Sequence, residues 1–341
     1  MIKNILKKLV EKENLDELET KYAFEKIMSG GLEESQVASF LTALQIKGAT
    51  NEEIIFALNV IRSKAVMIDT DVKNMVDTCG TGGDNSGTFN ISTAVSFVVA
   101  GAGVPVAKHG NRSASSKCGS ADVLESLGVK LNISPQKNKN ILEKIGICFM
   151  FAPIYHPSFK HVGKIRKELG FRTIFNFLGP LCNPANVKRQ VIGVYDNSLS
   201  EKIAEVLKEI GTKHALIVNS DGMDEISNFS KTKITEIKDG EINTYNLDPE
   251  NYGYSGSINE IKGGTPQENK QIILSILQGD KGPKRDIVVL NAAAAIYVSG
   301  IVDSIEEGIK LAEKSIETGN ALQKLNQLIK ETNEGETNEN N

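Results

Sequence analysis

Cysteine and histidine are scarce in this chain of 341 residues, with four of each. Cys79, Cys118, Cys148 and Cys182 lie far apart with no Cys-x-x-Cys pair, and the histidines are equally scattered. Neither a zinc site nor a disulfide framework is expected from such spacing, and the thiols read as small buried hydrophobes in a reducing cytoplasm. Neither charge is in large excess: 39 Lys and Arg stand against 43 Asp and Glu, a net charge of −4. That balance argues against a general nucleic-acid binder. Lys3, Lys7 and Lys8 interrupt the first apolar residues, so no secretory leader is expected. No apolar run is long enough to span a bilayer, so no membrane partner is expected either. No internal repeat is visible. What is present is a chain with 40% apolar residues, long enough for one large domain and a smaller one.

The texture changes along the chain. Residues 1–64 read as helical: Ile2, Ile5, Leu6 and Leu9 recur at helical spacing with lysines opposite. Thr50-Asn51-Glu52-Glu53 is a capping box, and Gly30-Gly31 separates two earlier helices. A small helical domain over 1–70, joined by part of 153–185, is the expectation, and its apolar faces suit a dimer contact. From about residue 74 short strands alternate with helices. Strands are predicted at Met75–Thr78, Val104–Lys108, Ile147–Phe151, Gln190–Tyr195 and Ala215–Asn219, with helices at Thr93–Ala102, Ala121–Leu127, Pro135–Lys144 and Ser200–Ile210. This alternation predicts an α/β domain over 71–330, built on a mostly parallel central sheet flanked by helices. A hairpin is expected around Asp239-Gly240, and long helices over 266–278, 283–298 and 304–330. Residues 331–341 contain no apolar side chain and read as a disordered tail. The stretch Phe151–Pro184 breaks the alternation and reads as an irregular linker back to the helical domain, or as a lid.

Residues 80–84, Gly-Thr-Gly-Gly-Asp, say most about function. They follow a predicted strand and precede a predicted helix. Glycines there let the backbone approach a ligand, and the unpaired N–H groups of a strand-to-helix loop attract phosphate. Asp84 beside a phosphate needs a metal or a sugar hydroxyl. The first inference is therefore a phosphorylated sugar with Mg²⁺. A Walker loop is excluded, since no lysine lies between Asp84 and Lys108. A dinucleotide fingerprint is excluded too, because Asn85 stands where its third glycine belongs and no acid follows between Val98 and Gly110. An isolated glycine cluster also serves as a plain turn.

Two further loops change that balance. Lys108 through Ser120 carries Lys108, Arg112 and Lys117 with four serines and two glycines, a composition suited to a second anionic group. Successive parallel strands end on one edge, so loops 80–93 and 108–120 should face each other across a crevice. Asp224-Glu225, after the Ala215–Asn219 strand, should reach the same crevice, where paired carboxylates suit a hard cation bridging phosphates.

Together these stretches resemble the anthranilate phosphoribosyltransferase family. The resemblance rests on GTGGD, FNIST, KHGNRSASSKCGSADVLESLG, FRTIFNFLGPLCNPA and the DEIS loop, and it covers nearly the whole chain. It implies the nucleoside-phosphorylase-like fold, a small helical domain with a larger α/β domain, paired as a homodimer through the helical part. It implies that Gly80, Gly83, Asp84, Thr88, Asn90, Ile91, Ser92 and Thr93 hold phosphoribosyl pyrophosphate. Lys108, His109, Gly110, Asn111, Arg112, Ser113, Ala114, Ser115, Ser116 and Ser120 would complete that pocket. Gly80, Asn111 and Arg166 would bind anthranilate, and Ser92, Asp224 and Glu225 would ligate Mg²⁺, as two ions. Cys118 stands where many members have serine. No catalytic base is identified; Asn111, Arg166 and His109 would position the substrates. Two other readings stay open at this point: a pyrimidine nucleoside phosphorylase, and a non-catalytic nucleic-acid-binding relative of the same fold.

Overall fold

The structure is a computed structural model that describes residues 1–113 and 117–335. Four helices, α1 (Ile2–Val10), α2 (Glu17–Met28), α3 (Glu34–Lys47) and α4 (Asn51–Ser63), form an N-terminal bundle. The capping box at Thr50 is present: Glu53 N–H donates to the Thr50 hydroxyl, and the Glu53 carboxylate accepts from Thr50 N–H at 2.7 Å. The same carboxylate accepts from Leu15 N–H and pairs with Lys47 at 2.8 Å, and both side chains of the ion pair are buried. Glu53→Ala would strand the Lys47 ammonium in the bundle. A loss of about 3 kcal/mol is expected from removing one partner of such a pair, read as a lower urea midpoint; an unchanged midpoint would show that solvent reaches Lys47.

The rest of the chain follows in the order β1 (Asp77–Thr78), α5 (Ile91–Gly101), β2 (Val106–Gly110), α6 (Ser120–Leu127), α7 (Pro135–Ile145), β3 (Ile147–Phe151), α8 (Ala152–Tyr155), α9 (Lys160–Leu169), α10 (Phe175–Leu181), β4 (Arg189–Gly193), α11 (Ser200–Glu209), β5 (His214–Asn219), β6 (Thr232–Lys238), β7 (Glu241–Leu247), α12 (Pro266–Leu277), α13 (Pro283–Ser299), α14 (Ile305–Glu317) and α15 (Asn320–Asn333). The main sheet runs β1-β4-β5-β6-β7, parallel through β5 and antiparallel in the final hairpin. Strands β2 and β3 form a separate parallel pair, joined to the main sheet by a bridge between Val76 and Val106. The α/β class with a mostly parallel sheet therefore holds.

Alternation along the central strands decides which layer covers which face. In β4 and β5, Val191, Leu216 and Val218 join the core under α5 and α13. Ile192, Ala215 and Ile217 join the opposite core, shared with α4, α10, α11 and the N-terminal bundle. The bundle thus packs on the back of the sheet, while the C-terminal ends of β1, β4 and β5 stay open.

Several expectations need correction. The first strand is shorter than Met75–Thr78, because Val76 bridges to Val106 instead of continuing the β4 ladder. The helix expected over 304–330 is two helices, broken at Gly319 with φ 74°. Their junction packs on α5 at Gly101, where a Cβ would lie 2.3 Å from Ser315 Oγ and 2.6 Å from Ala321 N. Helix α15 runs on to Asn333, past the expected end: Thr332 is buried, and Glu331 pairs with Lys144 at 2.7 Å. Residues 336–341 lie outside the described residues. The Phe151–Pro184 stretch is not irregular, since it carries α8, α9 and α10. Val162, Ile165, Phe175 and Leu178 sink into the core of the bundle. Among the described residues, no helix is long and apolar enough to cross a membrane.

Candidate active site

The 80–90 loop leaves the end of β1 and enters α5, and the 220–226 loop leaves β5 beside it. They touch. Gly82 N–H donates to Asp224 Oδ2 at 3.0 Å, and Asp224 N–H donates to Asp84 Oδ2 at 3.3 Å. Two missing side chains permit this approach. A Cβ on Gly80 would lie 2.7 Å from Asp224 Oδ2, and one on Gly193 would lie 1.7 Å from the Asp224 carbonyl oxygen. Thr81 N–H donates to Gly193 O at 2.8 Å, tying the glycine loop to the end of β4. The acidic loop is held from below by Asn291 of α13, which donates to Ile226 O and accepts from Ile226 N–H.

The β2 loop closes the third side. Lys108 is buried, and its ammonium donates to Thr78 O and, at 3.2 Å, to Ser92 Oγ. Asn90, the residue preceding α5, donates to Cys118 O at 3.0 Å and accepts from Cys118 Sγ at 3.2 Å. Position 118 is therefore a tie between two loops, a role a thiol can fill. Asn269 of α12 donates to Asn90 Oδ1 at 2.9 Å. Ser92 sits in the first turn of α5, where free N–H groups and the helix dipole favour an anion. The small cleft between the loops is lined by Thr78, Gly80, Ser92, Gly193, Asp224 and Glu225.

Three carboxylates converge here, Asp84, Asp224 and Glu225. Burial, and then repulsion from Asp84, hold the Asp224 carboxyl above the usual range. Burial and then Asp224 push Glu225 well up, opposed by the Lys108 ammonium and the Ser92 N–H. One lysine does not balance three acids, so the site is short of positive charge. Its donors are all oxygens, with the Ser92 hydroxyl alongside, which fits a hard divalent cation such as Mg²⁺.

Other expected site residues divide. His109 is buried beside Lys108. Ile91 and Thr93 are buried in the first turn of α5. Thr88 lies at a bridge to Lys262. Gly110 and Ser120 stack closely, and Ser120 Oγ donates to Asn111 O at 3.2 Å. Ser113 N–H donates to Asp122 Oδ2 at 3.1 Å. Asn111 is exposed, and its Oδ1 accepts from Arg112 N–H. Arg112 turns away from the carboxylates to pair with Asp122 at 2.9 Å and with both oxygens of Glu125. Ala114, Ser115 and Ser116 lie outside the described residues. Arg166, on α9, makes no hydrogen bond or ion pair to the three loops among the described residues. It lies over the Phe175 ring at 5.6 Å and has no ion-pair partner among the described residues. A row of rings links it to the β2 strand: Phe175 to Phe159 at 5.7 Å, Phe159 to His156 at 5.0 Å, and His156 to His109 at 5.1 Å.

One residue escaped the sequence reading. Arg172, between α9 and α10, donates to Gly83 O and stacks on the Tyr195 ring at 3.4 Å. Tyr195 N–H in turn donates to Thr81 Oγ1 at 3.3 Å. The guanidinium thus braces the outer side of the glycine loop, at the wall of a cleft of about 610 Å³. Its sequence signals were its place in the FRTIFNFLGPLCNPA run and its position six residues after Arg166, neither of which assigned it a role.

The chain is similar to known proteins along nearly its whole length. Residues 72–322 match the family described as "Glycosyl transferase family, a/b domain", and residues 3–65 match "Glycosyl transferase family, helical bundle domain". The anthranilate phosphoribosyltransferase of Acetivibrio thermocellus is 53% identical over 335 residues, covering 98% of this chain and 97% of the relative. The crystal structure of anthranilate phosphoribosyltransferase from Thermus thermophilus superposes with a TM-score of 0.91 at 37% identity, over 96% of this chain and 98% of that one. The Saccharomyces cerevisiae enzyme in complex with phosphoribosyl pyrophosphate (PRPP) and Mg superposes at 0.90 with 29% identity, over 97% of each chain.

Proposed function

From the premise that this chain belongs to the anthranilate phosphoribosyltransferase family, we propose how its residues carry out that family's reaction. The chain transfers the phosphoribosyl group of phosphoribosyl pyrophosphate to the amine of anthranilate, giving N-(5-phosphoribosyl)-anthranilate and pyrophosphate, the second step of tryptophan biosynthesis from chorismate. Neither the pyrimidine nucleoside phosphorylase reading nor the nucleic-acid-binding one finds support in the relatives. The observation that carries the site assignment is the direct contact of the glycine loop with the acidic loop, Gly82 N–H on Asp224.

In this reading Gly80 to Thr93 and the Lys108 to Ser120 loop enclose phosphoribosyl pyrophosphate. Asp224, Glu225 and Ser92 would hold two Mg²⁺ ions. The metal, when bound, neutralises charge on the leaving pyrophosphate. The protein's own groups do the rest. The α5 N-terminus and the loop N–H groups stabilise the departing anion without reorganising. Lys108 supplies a fixed positive charge among the carboxylates. Arg166 takes the anthranilate carboxylate, and Asn111 helps to orient the ring. The aromatic amine is already neutral at physiological pH, so its lone pair needs no strong base. Catalysis is then chiefly alignment of two substrates. Burial pushes the His109 imidazole down to about 3, so it stays uncharged near neutrality and serves as a neutral wall.

Consumption of anthranilate fluorescence, followed with and without phosphoribosyl pyrophosphate and Mg²⁺, tests the reading: loss of signal only with both present is expected. Arg172 gives a more local test. Arg172→Ala should raise the KM for phosphoribosyl pyrophosphate about tenfold, the worth of one charge-assisted hydrogen bond, with little change in the anthranilate KM. Equal effects on both substrates would show that Arg172 supports the fold and not the loop. A homodimer through the helical domain fits the exposure of Val10, Leu18 and Ile46 on the bundle. Light scattering at a mass of one chain, 37.0 kDa, would remove that assignment. Four free thiols fit a cytoplasmic location.

A further inference from the structure

Scattered along the sequence, three soft donors are gathered by the fold. His109 in β2, His156 after α8 and Cys182 after α10 each bring one ligand atom to within 4.8 Å of the others, and all three side chains are buried. We propose that this trio is a binding site for a borderline transition-metal ion, Zn²⁺ by its donor chemistry, distinct from the carboxylate site and inhibitory when filled.

Ligand type separates the two sites. Asp84, Asp224 and Glu225 offer only hard oxygen donors, whereas two imidazoles and a thiolate select Zn²⁺ over Mg²⁺. The ring hydrogen bonds leave each imidazole one nitrogen with a lone pair. His156 Nε2 lies 3.0 Å from Cys182 O. A carbonyl can only accept, so Nε2 carries the proton and Nδ1 keeps its lone pair. Among the described residues, buried His109 Nε2 has no hydrogen-bond partner, while the backbone of Gly179 hydrogen-bonds the same ring. An imidazole anchored on a backbone carbonyl with its other nitrogen free is the usual setting of a metal-binding histidine. Both rings are neutral, pushed down by burial to about 3 and about 4, so protons do not compete for them near neutral pH.

Cys182 supplies the third donor. Its thiol hydrogen-bonds Gly179 O at 3.2 Å, and burial pushes its pKa up to about 12. Binding therefore breaks the S–H bond, forms a Zn–S bond and releases one proton to solvent. Zn–N near 2.1 Å and Zn–S near 2.3 Å place tetrahedral donors about 3.5 Å apart, so the trio closes by roughly 1 Å, leaving the fourth position for water. Closure draws on His109, whose neighbours Lys108 and Asn111 belong to the substrate loop, so occupancy should suppress turnover. That inhibition rests on the transferase reading; metal binding itself does not.

The test uses the full-length chain at saturating Mg²⁺ with Co²⁺ as spectroscopic probe. Expected are a thiolate-to-cobalt charge-transfer band, one Co²⁺ per chain, displacement of the band by Zn²⁺, and inhibition of turnover by Zn²⁺. Cys182→Ser should remove the band, leave turnover without Zn²⁺ unchanged and raise the inhibitory Zn²⁺ concentration at least tenfold. His156→Gln, which keeps a donor for the Cys182 carbonyl, should also lose the band and serves if serine is not tolerated at 182. Absence of the band in the unmodified chain overturns the proposal. A band retained in both variants overturns it, since another thiol would then be the ligand. Unchanged Zn²⁺ inhibition in Cys182→Ser overturns it too, by placing the inhibiting ion on the Asp224 and Glu225 carboxylates.

Discussion

Replacing Asp224 and Glu225 together by Asn and Gln is expected to abolish Mg²⁺-dependent turnover, by about a thousandfold or more, while leaving the chain folded. Asn at 224 still accepts the Gly82 N–H, so the loop contact survives. The charge does not. Both carboxyls are raised in the folded chain, Asp224 by burial and then by Asp84, Glu225 by burial and then by Asp224. A carboxyl with a folded pKa above its unfolded value favours the native state only while protonated. For the metal-free chain, these two groups cost stability progressively as pH rises from about 4 toward their folded values. The neutral pair removes that cost, so its melting temperature at pH 7 should equal or exceed the original. The melting temperature of the unmodified chain should climb with added Mg²⁺, and that of the variant should not. Calorimetry with and without Mg²⁺ and a turnover assay check both halves. Full activity in the double variant would refute the metal assignment.

Arg166→Ala is expected to raise the anthranilate KM by about 10- to 100-fold, matching the 1.5–3 kcal/mol of a hydrogen-bonded charge pair, and to leave the KM for phosphoribosyl pyrophosphate within about twofold. Arg166 is half-buried against Phe175 and has no carboxylate partner among the described residues, so its removal breaks no ion pair there. Arg166→Lys should recover part of the loss, since an ammonium keeps the charge but not the two-pronged geometry. Initial rates with each substrate varied in turn decide the matter, and a parallel rise in both KM values would remove Arg166 from the carboxylate role. Arg172→Ala is expected to show the opposite pattern. The two arginines lie six residues apart in one crossing segment, so a single stretch of chain would serve both substrates.

Much of the fold was legible because its signals are local. The unbroken apolar run of β5, Ala215 to Val218, suits a strand buried on both faces, and the structure places its alternate residues in two separate cores. The capping box at Thr50 and the Asp239-Gly240 turn, with φ of 51° and 84°, formed as read. The helix break at Gly319 was missed because an isolated glycine costs a helix little, and only the close seat against Gly101 of α5 makes the break necessary. Phe151–Pro184 looked irregular because its helices are short and interrupted by proline and glycine, and their apolar faces make sense only against the N-terminal bundle.

The sequence by itself determined the kinds of chemistry this chain carries: a glycine loop for phosphate, a cationic serine loop, and paired acids for a hard cation. Residue type and short spacing are properties of the chain that packing cannot change. Tertiary structure decided the individual contacts between them. It set Gly82 on Asp224, turned Arg112 toward Glu125, brought Arg172 to the Gly83 carbonyl, and gathered His109, His156 and Cys182 from 73 residues of separation into one buried cluster. Each of these depends on how strands register and helices stack, and such long-range distances leave no trace in local sequence.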